Sequence, residues 1–276
     1  MEISAELKRL ARVSNKAAKH IMQYMQVQEA EDNVYVLDKK IDEIERSCEE
    51  LPECDLKKQL RSWIAQRRDR IKELKEEFRF TFGKKLTSLF SADGIQVKGQ
   101  YPIVRVAWYT VKIDFEIGEA EVFYGPEVEK ILRKIPLHPD MIYDAVKKFD
   151  DKLKSSGKEL EKLLSAIHSA YERVLRIEGK QPGEKVLIIE VMNQFVMVNQ
   201  TKKFKADPSK TLFRGTSRVM FSYIVHMLKK THAAGLHLHV ATFDATVDKT
   251  RALWIPEDET GEGTHYSYLS FDTDGE

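Results

Sequence analysis

Apolar residues recur at threes and fours through the first third of the chain. Ile3, Leu7, Leu10, Ala17, Ile21 and Tyr24 mark one face of a helix over residues 3–28. Val34, Leu37, Ile41, Ile44, Cys48 and Leu51 mark a second helix at heptad spacing, and Leu56, Leu60, Trp63, Ile71, Leu74 and Phe78 mark a third. The interruption Leu51-Pro52-Glu53-Cys54-Asp55 between the last two predicts an antiparallel helical hairpin. Three helices with one apolar face each need one another, or a partner, to leave water.

Beyond Gly83, Gly94 and Gly99 the period falls to two. Tyr101 to Phe115 reads as a strand with apolar residues on both faces, and Gly118-Glu119 reads as a turn into a returning strand through Ala120, Val122 and Tyr124. A helical stretch is expected from Pro126 to Arg133, and a longer one from Asp140 to Glu178 that Ser155-Ser156-Gly157 divides. Val186 to Val191 is the most strand-like run, turned at Asn193-Gln194 into Phe195 to Val198. A helix from Ser217 to Ala234, stopped by Gly235, precedes strands at Leu236–Phe243 and Val247–Ile255. Residues 256–276 carry seven acids and no Lys or Arg, and suit an edge strand or an unstructured end. The expected fold class is α+β. An N-terminal antiparallel helical hairpin, a coiled-coil module over residues 1–85, precedes a mixed sheet-and-helix domain over residues 86–276 with an acidic tail.

Charge sharpens the picture of the hairpin. Residues 29–55 hold eleven Asp/Glu against three Lys/Arg, a balance of −8, and residues 57–85 hold eleven Lys/Arg against four Asp/Glu, a balance of +7. The two arms are expected to zip through complementary flanks. Read instead as a nucleic-acid surface, the basic arm would offer Trp63, Phe78, Phe80 and Phe82 for stacking on bases. Overall the 276 residues carry a formal charge of +1, so any polyanionic partner must be met by a local patch. The start Met1-Glu2-Ile3-Ser4-Ala5-Glu6 is acidic and amphipathic, and no apolar run approaches the 18 residues of a membrane span, which predicts a cytoplasmic protein with no membrane partner. Cys48 and Cys54, the only cysteines, are expected as an apolar seam residue and a solvent-facing turn residue.

Signatures of catalysis are sparse along the chain. Neither G-x-x-x-x-G-K-[ST] nor G-x-G-x-x-G occurs, and no cofactor is expected. The order Phe213-Arg214-Gly215-Thr216-Ser217-Arg218, helix, then a strand ending in Asp244 resembles the signature helix and Asp-terminated strand of ATPase heads carried on coiled coils. It departs from them in Ala245, where a catalytic Glu would follow, and in the missing glycine pair. A second basic patch is more informative. Lys202, Lys203, Lys205, Lys210, Arg214 and Arg218 stand against Asp207 alone, and with the hydroxyls of Thr216 and Ser217 at a helix start they suit a DNA or RNA backbone. The alternative for this turn is an ordinary cap with solvated arginines. His237 and His239 fall on one strand face, and with Asp244 and Glu190 would make the ligand set of a metal-dependent hydrolase or nuclease. The leading expectation is a non-catalytic subunit or adaptor that docks other subunits, or itself, through residues 1–85 and touches nucleic acid through residues 202–218.

Overall fold

The computed structural model describes residues 2–29, 34–233 and 235–273. Residues 30–33 of the acidic stretch, Ala234 at the expected end of a helix and residues 274–276 of the tail lie outside the described residues. The chain divides into two compact units, one of Met1–Val104, Lys112–Glu121 and Arg133–Asp144, the other of Arg105–Val111, Val122–Leu132 and Ala145–Glu276.

The first unit opens with three helices, α1 (Glu2–Glu29), α2 (Val34–Glu49) and α3 (Asp55–Ala92). The heptad residues of the acidic stretch are its core: Ile41, Ile44 and Cys48 are fully buried, and Val34, Leu37 and Leu51 nearly so. Both neighbours run antiparallel to α2. Lys16 meets Glu50, and His20 Nδ1 lies 2.9 Å from Ser47 Oγ on the α1 side. On the α3 side Arg61 takes Glu49, Arg68 takes Asp42 and Glu45, and Lys75 takes Asp38 at 2.6 Å. The two arms therefore zip as their charges predict. Most of these pairs are half exposed and each contributes under about 1 kcal/mol, so their main effect is to set the register of α2 against α3.

The turn between these helices is held by Lys57, whose side chain is only 5% exposed. Its ammonium donates to the carbonyls of Leu51 at 2.9 Å and Glu49 at 3.3 Å and pairs with Glu53 at 2.9 Å, so it caps the C-terminal end of α2. Lys57→Met keeps the stem and removes these charged hydrogen bonds. It is expected to destabilise the hairpin by about 1.5–3 kcal/mol, read as a lower urea midpoint by far-UV circular dichroism; an unchanged midpoint would deny Lys57 this capping role.

Gly83 does not break the third helix. α3 runs through it and through residue 85, where the sequence places a module boundary, to Ala92. A Cβ on Gly83 would stand 2.8 Å from the ring of Tyr101, whose hydroxyl donates to Gly83 O at 2.9 Å, so the glycine serves a close approach and not a turn.

A meander follows: β1 (Val97–Gln100), β2 (Ile103–Val106), β3 (Tyr109–Asp114), β4 (Glu119–Tyr124) and β5 (Glu129–Pro136), paired in that order. The long strand expected from Tyr101 to Phe115 is two, because the chain turns at Ala107 with φ 49°. The helix expected from Pro126 to Arg133 is instead the turn at Gly125 and Glu127, with φ 68° and 57°, and the strand β5. Its Glu, Lys, Leu and Arg favour helix on their own, and pairing with β4 overrides them.

The second unit packs helices on a small antiparallel sheet. After α4 (Pro139–Ser156) come α5 (Leu160–Glu178), β6 (Val186–Leu187), α6 (Ile188–Val198), α7 (Lys202–Ala206), α8 (Arg218–Lys230), β7 (Leu236–Val240), α9 (Phe243–Thr246), β8 (Leu253–Pro256) and β9 (Gly263–Phe271). The division at Ser155–Gly157 falls where the sequence puts it. Of the strands expected at Val186–Val191 and Phe195–Val198, only Val186–Leu187 forms. After two residues of β6 the chain enters α6, whose buried Ile188, Val191 and Phe195 have helical spacing, and a short apolar run cannot distinguish the two periods. Leu236–Phe243 stops being strand at Val240, and Val247–Ile255 is turn until β8 begins at Leu253.

The described part of the acidic tail is neither an edge strand nor without structure. β9 is the central strand: β7 pairs along one side over Tyr266–Phe271, while β6 and β8 share the other, at Tyr268–Leu269 and Gly263–Tyr266. Leu269 and Phe271 join α5, α6 and α8 in one core with Ile167, Val174, Val191, Phe195, Phe221 and Leu228. Among the described residues no helix is long and apolar enough to cross a membrane.

Candidate functional site

The basic loop is built from its base. Gln200, 5% exposed, donates through its amide nitrogen to Val196 O at 2.6 Å and Arg214 O at 2.7 Å, and its amide oxygen accepts from Arg214 N at 3.0 Å. Thr201 caps α7 by accepting from Phe204 N, and the half-buried ring of Phe204 packs 5.7 Å from that of the exposed Phe213. Lys202, Lys203, Lys205, Lys210 and Arg214 are left exposed on this closed frame, with Lys205 bound to Val198 O at 3.2 Å. Five cations thus stand on backbone that is fixed in advance.

The remaining three residues of the expected phosphate site behave differently. Arg218 is spent internally: its guanidinium donates to Glu129 at 2.7 Å, to Lys249 O at 2.7 Å and to Ala252 O at 2.8 Å. Ser217 is the ordinary cap of α8, accepting from Met220 N at 3.2 Å, and Thr216 is half-buried beside it.

The four residues of the metal alternative are not assembled into a ligand set. His237 Nε2 lies 2.6 Å from Asp272 Oδ1 and His239 Nε2 lies 2.9 Å from Ser270 Oγ, both along the β7–β9 pair. Asp244 is exposed in α9, and Glu190 is exposed in the first turn of α6, so the acid that breaks an apolar run carries no burial cost. Among the described residues no group of three or more His, Cys, Asp or Glu is placed to hold a metal ion. His237 and His239 instead line a cleft of about 350 Å³ with His232, beside Lys229, which donates to Tyr266 at 2.8 Å and pairs with Glu257. Cys48 and Cys54 are free thiols, one buried and one exposed, and burial pushes the Cys48 thiol up.

Two buried phenols are structural. Tyr109 donates to Asp150 at 2.9 Å, Tyr124 sits 3.4 Å from Ser222 Oγ, and burial holds both far above their ordinary range and protonated. Three histidines of the second unit are shifted the other way. Burial lowers His226, His239 and His265 below their ordinary 6.5, reinforced by Lys230 and Lys229 at His226, Lys185 and His237 at His239, and Arg218 at His265. His226 Nδ1 is 2.7 Å from Pro256 O, while its Nε2 is buried with no partner. A lowered folded value means that the unfolded chain takes up protons first, so the stability these groups contribute is present above 6.5 and lost as the pH falls below it. The urea midpoint is expected to drop between pH 7.5 and 5.5, and His226→Gln to flatten that dependence; an identical slope in the variant would remove His226 as a source.

The basic arm of the helical module has little left for nucleic acid. Arg61, Arg68 and Lys75 answer the acidic arm. Of the four aromatics expected to stack on bases, Phe82 is buried, Trp63 packs on Tyr24 and Arg67, and Phe78 packs on Tyr35 and Phe82, leaving Phe80 exposed. The chain matches no protein-family model, and no curated protein or solved structure shows significant similarity to it.

The first unit carries two open surfaces: the start of the α1 face that the apolar spacing marks, and a cleft beside the first sheet that no motif marks. Ile3, Leu10, Ala17 and Tyr24 are seven residues apart on α1; the last two are buried, while Ile3 is 78% and Leu10 38% exposed, with Leu7 between them at 62%. Lys16 is already level with Glu50 at the hairpin tip and Val13 is, among the described residues, the last buried one towards the N-terminus, so the turns before Val13 leave their apolar stripe open. The second surface is a cleft of about 780 Å³ lined by residues of α3, β2, β3, β4 and their turns. Its sequence signal was present: Asp114, Glu119 and Glu121 alternate with apolar residues in β3 and β4, and Glu116 lies in the turn between them.

Proposed function

We propose that this protein is a non-catalytic subunit of a cytoplasmic assembly, docking through the first turns of α1 and holding a nucleic-acid backbone on the loop 202–214. The observation that carries the docking role is the open half of the α1 seam. Ile3, Leu7 and Leu10 occupy the helix face that Ala17 and Tyr24 bury further on, and an apolar stripe that outruns its intramolecular partners marks an interaction site. Free thiols at Cys48 and Cys54 fit a reducing compartment. Gentle isolation of the protein from its own cells is expected to bring bound subunits with it, and Leu7→Glu with Leu10→Glu to release them. Recovery as a lone monomer, or equal retention by the variant, would end the docking proposal.

Support for the second half is the set of five exposed cations on a loop braced by Gln200 and the Phe204–Phe213 pair. Replacing Lys202, Lys203, Lys210 and Arg214 with Glu is expected to weaken binding to DNA or RNA at low salt and to shallow its salt dependence by about one unit per lost phosphate contact. Equal affinity and slope in the variant would discard the contact.

A further inference from the structure

We propose that the open apolar stripe of α1 docks into the acidic cleft of a second copy of this chain, so that copies join head to tail. The inference rests on α1 being the docking element, and it names the occupant.

The stripe and the cleft are complementary in both apolar surface and charge. On α1, Ile3, Leu7 and Leu10 are flanked by three cations, Lys8, Arg9 and Arg12, against one acid, Glu6, all exposed. The cleft has an apolar floor that includes Ile103, Phe115 and Ile117, with Ile103 38% and Ile117 53% exposed. Around that floor stand Asp114, Glu116, Glu119 and Glu121 against two cations, Arg79 and Lys112. Four carboxylates against Arg79, Lys112 and, 3.9 Å from Glu119, Lys39 leave the rim one negative charge in excess. The hairpin shows what such a stripe takes: where α1 is covered, its Lys16 meets Glu50 at the end of the acidic α2. A basic amphipathic helix matches the cleft, and the chain carries one.

Geometry forbids the two from meeting within one molecule. Tyr24 of α1 is level with Trp63 of α3, their rings 5.4 Å apart, and the two helices run in the same direction. Leu7 lies seventeen residues before Tyr24, and Arg79 at the cleft lies sixteen after Trp63. At 1.5 Å of rise per residue that separates stripe and cleft by roughly 50 Å along the module. Pairing of one α1 stripe with another is disfavoured because it would set two basic flanks side by side. A stripe in one place and its cleft in another make a heterologous contact, which extends from copy to copy unless a ring closes.

The test uses the full chain and two surface variants, sized by sedimentation velocity with folding checked by circular dichroism. Leu7→Glu with Leu10→Glu disables the stripe, and Ile103→Arg with Ile117→Arg disables the cleft; all four side chains are exposed. Wild type is expected to grow beyond a dimer with concentration, and each variant alone to weaken assembly roughly thirtyfold or more, the loss of a hot-spot side chain. An equimolar mixture of the two variants is expected to form a 1:1 complex and nothing larger, because one intact stripe then meets one intact cleft. Wild type that stays monomeric at roughly 100 μM, well above a micromolar Kd, would overturn the proposal, as would a mixture that stays monomeric. A monomeric wild type that still retains other subunits through α1 would sink this inference alone and leave the docking role standing.

Discussion

A chain ending at Asp258 is expected to lose the cooperative fold of its second unit. The truncation removes β9, which holds β7 on one side and β6 and β8 on the other, so three strands lose their ladders together. It also removes Tyr266, Leu269 and Phe271 from the core, where Phe271 packs its ring 4.8 Å from His168 and 5.3 Å from Tyr171. Each buried side chain of this size contributes about 2–5 kcal/mol against truncation to Ala, so three of them with the backbone pairing exceed the roughly 5–15 kcal/mol that holds a whole domain folded. Leu269→Ala alone, at a fully buried position, is expected to lower stability by about 2–5 kcal/mol. Thermal unfolding followed by near-UV circular dichroism checks both. A cooperative transition at the wild-type Tm in the truncated chain would show that the strand is dispensable.

The second large effect is expected at Gly118→Val. Gly118 has φ +76°, and a Cβ there would stand 2.5 Å from Tyr35 Cβ at the start of α2. Its N–H donates to Asp114 O at 2.9 Å and its carbonyl accepts from Leu137 N at 3.3 Å, so the turn cannot move off without breaking both. The left-handed backbone costs a branched residue about 1–2 kcal/mol and the collision about 1–3 kcal/mol more. Gly94 is the control, with φ +73° and nothing within 4 Å. Gly94→Ala is expected to show only the backbone cost, about 1–2 kcal/mol. Equal Tm shifts in the two variants would remove Tyr35 from the explanation.

What the sequence discloses depends on whether each signal is local. The helical module is legible because its pattern is long and doubly written, in apolar heptads and in opposite charge, and Arg61, Arg68 and Lys75 find the acids that this pattern assigns them. The run Val186–Val198 fails because a short apolar stretch satisfies both periods, and burial of Ile188, Val191 and Phe195 against α5, α8 and the sheet decides for helix. Pro126–Arg133 fails because local preference for helix yields to a neighbouring strand. The acidic tail fails for a third reason: charge at Glu257, Asp258, Glu259 and Glu262 masks the apolar alternation of Tyr266, Leu269 and Phe271 behind it, which only pairing on both sides explains. At the basic loop composition identifies the cations but not their employment. Arg218 differs from Arg214 only through Glu129 and the carbonyls of Lys249 and Ala252, contacts distant in sequence.

Docking through the first turns of α1 is tested most directly by a photoreactive amino acid in place of Leu7, compared with one at the exposed Lys72 on α3. Irradiation of native extract is expected to give a discrete, higher-mass crosslinked product from position 7 and none from position 72. Crosslinking at neither position, or equally at both, would contradict a specific docking role for the α1 stripe.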